Sequence, residues 1–76
     1  MREKDRNKFV DLANRRVKHA LKDIQLIGNL SNRSNYDYTE EDIAKIFRAI
    51  QQELAACKKR FDLALKKQNG KFFNLE

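Results

Sequence analysis

The sequence predicts an all-α protein, a two-helix antiparallel hairpin that dimerises into a four-helix bundle. The chain has 76 residues with no Pro and two Gly, and it is rich in residues that favour helix. Two stretches carry apolar residues at alternating spacings of three and four, which is the pattern of amphipathic helices. A segment rich in Asn and Ser separates the two stretches, as a turn would. A chain of this length accommodates one domain, here residues 1–76.

The first apolar stretch predicts helix 1 over about residues 5–27. Gly28 follows where the pattern stops, and Gly is the residue best suited to the left-handed conformation that ends many helices. We therefore expect Gly28 to cap this helix. The periodic residues form the a and d positions of a heptad repeat: Val10, Ala13, Val17, Ala20, Ile24 and Ile27.

The start of helix 2 is marked by a capping pattern. Thr39 is a favoured N-cap residue, and Asp42 occupies the reciprocal position usually held by Glu or Gln. Tyr38 and Ile43 have the spacing of a hydrophobic staple across the cap. The acidic residues 40–42 lie where the helix dipole favours negative charge.

The second apolar stretch predicts helix 2 over about residues 40–68. Gly70 is expected to stop it, which leaves 69–76 as a tail whose last two residues, Leu75 and Glu76, we interpret as a cloning remnant. The seam again alternates between a and d positions: Ile43, Phe47, Ile50, Leu54, Cys57, Phe61 and Ala64.

The apolar bands are wider than one hairpin requires. Two helices touch along a single seam, so a lone hairpin would leave a long apolar strip in water, which soluble monomers rarely do. Pairing two hairpins covers both flanks, and this predicts a homodimer. The expected core and dimer residues are Val10, Val17, Ile24, Ile27, Ile43, Phe47, Ile50, Leu54, Cys57 and Phe61.

The net charge of +6 makes the basic side of helix 1 a candidate binding surface. Lys8, Arg15 and Lys22 take the outermost heptad position, and Lys18 lies beside them. Such a row neutralises phosphates without reading sequence, which would make nucleic acid a partner. The alternative is an ordinary solvated helix face, because Lys and Arg are good helix formers.

The connecting segment, residues 28–38, offers a second candidate site. Its cation Arg33, together with Asn35 and Tyr36, has the chemistry to bond a phosphate or carboxylate and to stack on a base. The alternative is structural: Asn side chains close the turns, and Arg33 pairs with Asp37 or with a first-turn carboxylate of helix 2.

Catalytic, cofactor and metal sites are not expected. His19 has no second His or Cys at ligand spacing, and Cys57 falls on the apolar seam, where a free Cys packs as a small hydrophobe. No apolar run is long enough to span a membrane, and the charged start predicts no secretory signal. With a single Cys, these features favour the cytoplasm and no membrane partner.

One part of the sequence resembles a group of short bacterial proteins. The run from Ile24 to Leu54 is similar to their core, LGN-x-x-NRS-x-Y-x-YT-x-ED, set between two helical segments. The resemblance implies no activity. In architecture the chain is also similar to the repressor-of-primer family of RNA-binding helical hairpin dimers, although its connecting segment is longer.

The sequence thus favours a non-enzymatic, cytoplasmic protein-interaction module. Its expected partners are a second copy of itself and an unidentified protein. The alternative function is a regulatory protein that binds RNA or DNA independently of sequence through a basic face of the bundle.

Overall fold

The computed structural model describes the backbone of residues 2–73 and the side chains of residues 2–66. This part of the chain holds two α-helices and no strand: α1, Glu3–Asn29, and α2, Glu40–Phe73. The predicted all-α class with two helices is therefore confirmed. The proposed remnant, Leu75 and Glu76, lies outside the described residues.

Helix α1 begins without a side-chain cap. Arg2, the residue before it, has an extended backbone, and its side chain makes no bond to the first turn's N–H groups. The Arg2 Nε atom instead lies 3.1 Å from Oδ2 of Asp5. Glu3 and Asp5 place negative charge at the positive end of the helix dipole, and this favours an early start.

The prediction that Gly28 ends α1 in a left-handed conformation is wrong. Gly28 lies inside the helix, and no described glycine has a positive φ. The last turn tightens instead: the N–H of Leu30 donates to the carbonyl of Ile27, and that of Ser31 to the carbonyl of Gly28, both at 3.0 Å. These bonds satisfy the terminal carbonyls, so a left-handed residue is unnecessary.

After α1 the chain turns around Asn32. The Oδ1 atom of Asn32 accepts hydrogen bonds from the backbone N–H of Ser34 at 3.0 Å and from its hydroxyl at 2.9 Å. The backbone carbonyl of Asn32 accepts from the N–H groups of Asn35 and Tyr36 at 3.1 and 3.0 Å. This local bonding is the usual reason that Asn favours turns, and it supports the structural interpretation of the segment.

Helix α2 begins with the predicted capping box. The Asp42 N–H donates to Oγ1 of Thr39 at 3.1 Å, and the Thr39 N–H donates to Oδ2 of Asp42 at 2.9 Å. The backbone hydrogen bond from Thr39, then the bond with its side chain, lowers the pKa of the Asp42 carboxyl. Tyr38 and Ile43 are both half-buried, as a hydrophobic staple requires.

The prediction that Gly70 stops α2 is also wrong, because the helix continues to Phe73. A glycine inside a helix costs only about 1 kcal/mol relative to Ala, and no proline follows it to break the hydrogen-bond ladder.

The chain by itself buries none of the predicted core residues. No described side chain is buried. Ile27, Ile43 and Ile50 are half-buried, and the other predicted core residues are exposed. Because side chains radiate from a helix, neither helix can cover its own apolar side. The predicted core residues that are exposed are Val10, Val17, Ile24, Phe47, Leu54, Cys57 and Phe61.

Substituting Gly28→Ala should stabilise α1. Gly28 has a helical backbone, and an added Cβ would meet no atom within 4 Å. Ala in such a position is worth about 0.5–1 kcal/mol. We expect a higher helical circular dichroism signal and a higher melting temperature. Gly28→Asn is the control, since Asn tolerates the left-handed region better than Ala does; if Asn stabilised the chain more than Ala, Gly28 would be left-handed in solution.

The capping box should set the titration of Asp42. Because its pKa is lowered on folding, the stabilisation is present above the ordinary pKa of the carboxyl and is lost as pH falls through the lowered value. We expect the Asp42 carboxyl, followed by NMR, to titrate at lower pH in the folded chain than in urea.

The control for this titration is a pair of substitutions at the cap. Thr39→Ala keeps the backbone N–H that bonds Asp42 but lacks the hydroxyl, so it should reduce the difference and destabilise α2 by about 1 kcal/mol. Thr39→Ser should keep both the difference and the stability. An Asp42 midpoint unchanged by Thr39→Ala would contradict the capping box.

Candidate functional site

The apolar face of α1 is one continuous side of the helix. At about 100° per residue, its members fall within roughly a third of the circumference and extend for about 27 Å along the axis. At the N-terminal end, Cζ of Arg6 lies 6.0 Å from the centre of the Phe9 ring, within the range of a cation–π contact. The face consists of Phe9, Val10, Ala13, Val17, Ala20, Leu21, Ile24 and Ile27.

The apolar face of α2 is longer, at about 33 Å. Ile43, Ile46 and Ile50 near its start are half-buried, whereas Leu54 in its middle is 67% exposed. Cys57, predicted to pack on the seam, is a free and exposed thiol on this face. The face consists of Ile43, Ile46, Phe47, Ile50, Leu54, Cys57, Phe61, Ala64 and Leu65.

A cationic face lies on the opposite side of α1 from its apolar face. It holds the four predicted cations, and also Lys4, which the sequence analysis missed because it placed the helix start at residue 5. Lys4 precedes Lys8 by one helical turn, and this four-residue spacing was the signal that could have found it. The cationic face consists of Lys4, Lys8, Arg15, Lys18 and Lys22.

One carboxylate interrupts the cationic face. Nη2 of Arg15 lies 2.6 Å from Oδ2 of Asp11, one turn earlier, and both side chains are about two-thirds exposed. An ion pair this open to water is screened and adds little stability. Five cations less Asp11 leave a formal charge of +4 on this face.

The polar side of α2 is a sparser cationic surface. Its cations share one side of the helix, and about three turns separate the second from the third: Lys45, Arg48, Lys59 and Lys66. The Nζ atom of Lys45 also lies 3.8 Å from Oε2 of Glu41. The charge density of this surface is therefore lower than that of the cationic face of α1.

The predicted loop site, Arg33, Asn35 and Tyr36, falls within a single exposed turn. The backbone N–H groups of Asn35 and Tyr36 are used by the turn at Asn32. All three side chains are exposed, Tyr36 at 48%. The arrangement positions them together but forms no enclosed site.

The described residues lack two further kinds of feature. No group of three or more His, Cys, Asp or Glu side chains is arranged to hold a metal ion there. Neither helix, over its described part, is both long and apolar enough to cross a membrane.

Comparisons with known proteins give no further guide. No protein-family model, no curated protein and no solved structure matches the chain.

Proposed function

We propose that the chain is a non-enzymatic, cytoplasmic interaction module that self-associates through the apolar faces of α1 and α2. The observation that carries this proposal is that each helix bears a continuous apolar face while no described side chain is buried. Soluble monomers seldom leave apolar patches of this extent in water. The single Cys fits a reducing compartment.

A dimer of helical hairpins is the arrangement that these faces favour. Their a and d spacing is that of helices packed side by side at a shallow angle, in four-helix bundles as in coiled coils. Two copies bring four apolar faces to one core, so each face is covered on both flanks. Phe47, Leu54 and Phe61, which take the a positions of α2, would then lie in the centre of the bundle.

Folding and association should be linked in such a protein. Most helical stability in proteins comes from packing an apolar face rather than from helix propensity. Covering one Leu, Ile or Phe side chain contributes about 1.5–3 kcal/mol. We therefore infer that most of the stability of both helices depends on the second copy.

A charge placed on the apolar face of α2 should dissociate the dimer. We expect the wild-type chain to sediment at twice its 9.0 kDa mass at micromolar concentration. Leu54→Lys should sediment as a monomer and lose helical circular dichroism, because a lysine there cannot enter an apolar core.

The matched control is Ala55→Lys. It adds the same charge one residue along, on the polar side of α2, and should keep both mass and helicity. A wild-type chain that stays at 9.0 kDa and fully helical on concentration would refute self-association. A monomer with little helix at every concentration would also refute it and indicate that another protein covers these faces.

Cys57 provides a native probe of the same interface. Its thiol is exposed in the single chain and lies on the apolar face of α2. We expect its reaction with a thiol reagent to slow as protein concentration rises and the dimer covers it. The Leu54→Lys chain should react fast at all concentrations. A rate independent of concentration in the wild-type chain would place Cys57 outside the interface.

A further inference from the structure

We infer that the cationic face of α1 binds the phosphate backbone of duplex DNA without reading its sequence. The face comprises Lys4, Lys8, Arg15, Lys18 and Lys22 and lies opposite the apolar face of the same helix. An apolar face covered by a second copy would leave this side open to solvent. The inference therefore goes beyond self-association and is compatible with it.

The lysines of this face are available to an outside anion. None of the four forms an ion pair with another described residue, and all are exposed. The face holds +4 of formal charge in a chain whose net charge is +6. When protein cations neutralise DNA phosphates, they release the counterions condensed on the DNA. This release supplies most of the affinity in sequence-independent binding.

The length and width of α1 suit a duplex. Lys4 and Lys22 are separated by about 27 Å along the helix axis, so the cationic face is long enough to reach several successive phosphates of a duplex. A helix with its side chains is about 10–12 Å across, and the major groove of B-DNA is about 12 Å wide. The major groove of an RNA duplex is deep and narrow, so a straight helix is less well accommodated there.

A lipid surface would compete with self-association for the same face of α1. A helix that lies on an anionic membrane buries its apolar side in the headgroup region and carries Lys and Arg on the other side. The apolar face that contains Val17 would then be unavailable to a second copy of the chain. Duplex DNA needs only the cationic face, so it is the partner that is compatible with the proposed self-association.

Asp11 acts as an internal competitor for Arg15. Its Oδ2 atom lies 2.6 Å from Nη2 of Arg15, at the position where a phosphate oxygen would bind. Because the pair is exposed and weak, a phosphate can displace Asp11. Asp11 therefore reduces the affinity for DNA without preventing binding, and removing its charge should strengthen binding.

The experiment measures fluorescence anisotropy of a labelled random-sequence DNA duplex with the full chain over a series of salt concentrations. We expect binding at about 50 mM salt that weakens steeply as salt rises. Each phosphate contact contributes about 0.9 to the slope of log affinity against log salt, so the triple variant Lys8→Gln, Lys18→Gln, Lys22→Gln should lower the slope by about 2.7 per chain. Asp11→Asn should tighten binding and steepen the slope by up to about 0.9.

The matched control is the triple variant Lys45→Gln, Lys59→Gln, Lys66→Gln, which removes the same charge from α2. It should change the slope much less than the α1 variant does. Sedimentation of every variant should show the wild-type mass, so a loss of DNA binding is distinguishable from a failure to self-associate.

Four outcomes would overturn the inference. They are no anisotropy change at low salt, equal losses in the α1 and α2 variants, tighter binding to an RNA duplex of the same length, and tighter binding to vesicles of phosphatidylserine and phosphatidylcholine. An Asp11→Asn chain that binds DNA as the wild type does would overturn the role assigned to Asp11.

Discussion

The constraint on which this protein depends is that a helix satisfies its own backbone but cannot cover its own apolar side. The backbone hydrogen bonds of α1 and α2 form within each helix. Their apolar faces leave water only when another surface packs against them. The hydrophobic effect is the largest favourable contribution to folding, yet no side chain is fully buried in the described part of the single chain. Stability, oligomeric state and the surfaces left for other partners therefore all follow from what covers those faces.

Helix α1 carries its apolar residues and its cations on opposite sides. Val17 and Ile24 represent the apolar side, which gains free energy by leaving water, and Lys8 and Lys22 represent the side whose charge is best kept in water or against another charge. This separation lets one helix contribute to an interface and still present a charged surface. Asp11, which bonds to Arg15, moderates that surface without neutralising it.

The sequence was sufficient where short-range chemistry decides the outcome. Thr39 and Asp42 form the expected capping box because both partners lie within one turn. Gly28 and Gly70 were misjudged because a glycine weakens a helix only slightly when good helix formers surround it, and tighter terminal bonds can replace a left-handed cap. Lys4 was missed because the start of α1 carries no capping side chain to mark it. Periodicity located the apolar side of each helix, but it contains no information on what covers that side.

The two helices begin differently, and the first turn of α1 is less stable than that of α2. The start of α2 is held by reciprocal bonds between Thr39 and Asp42, whereas the start of α1 has only the solvent-exposed pair of Arg2 and Asp5. The first turn of α1 therefore needs less free energy to unwind than the first turn of α2 does. Lys4 lies in that turn, so its position on the cationic face is held less firmly than the positions of the cations from Lys8 onward.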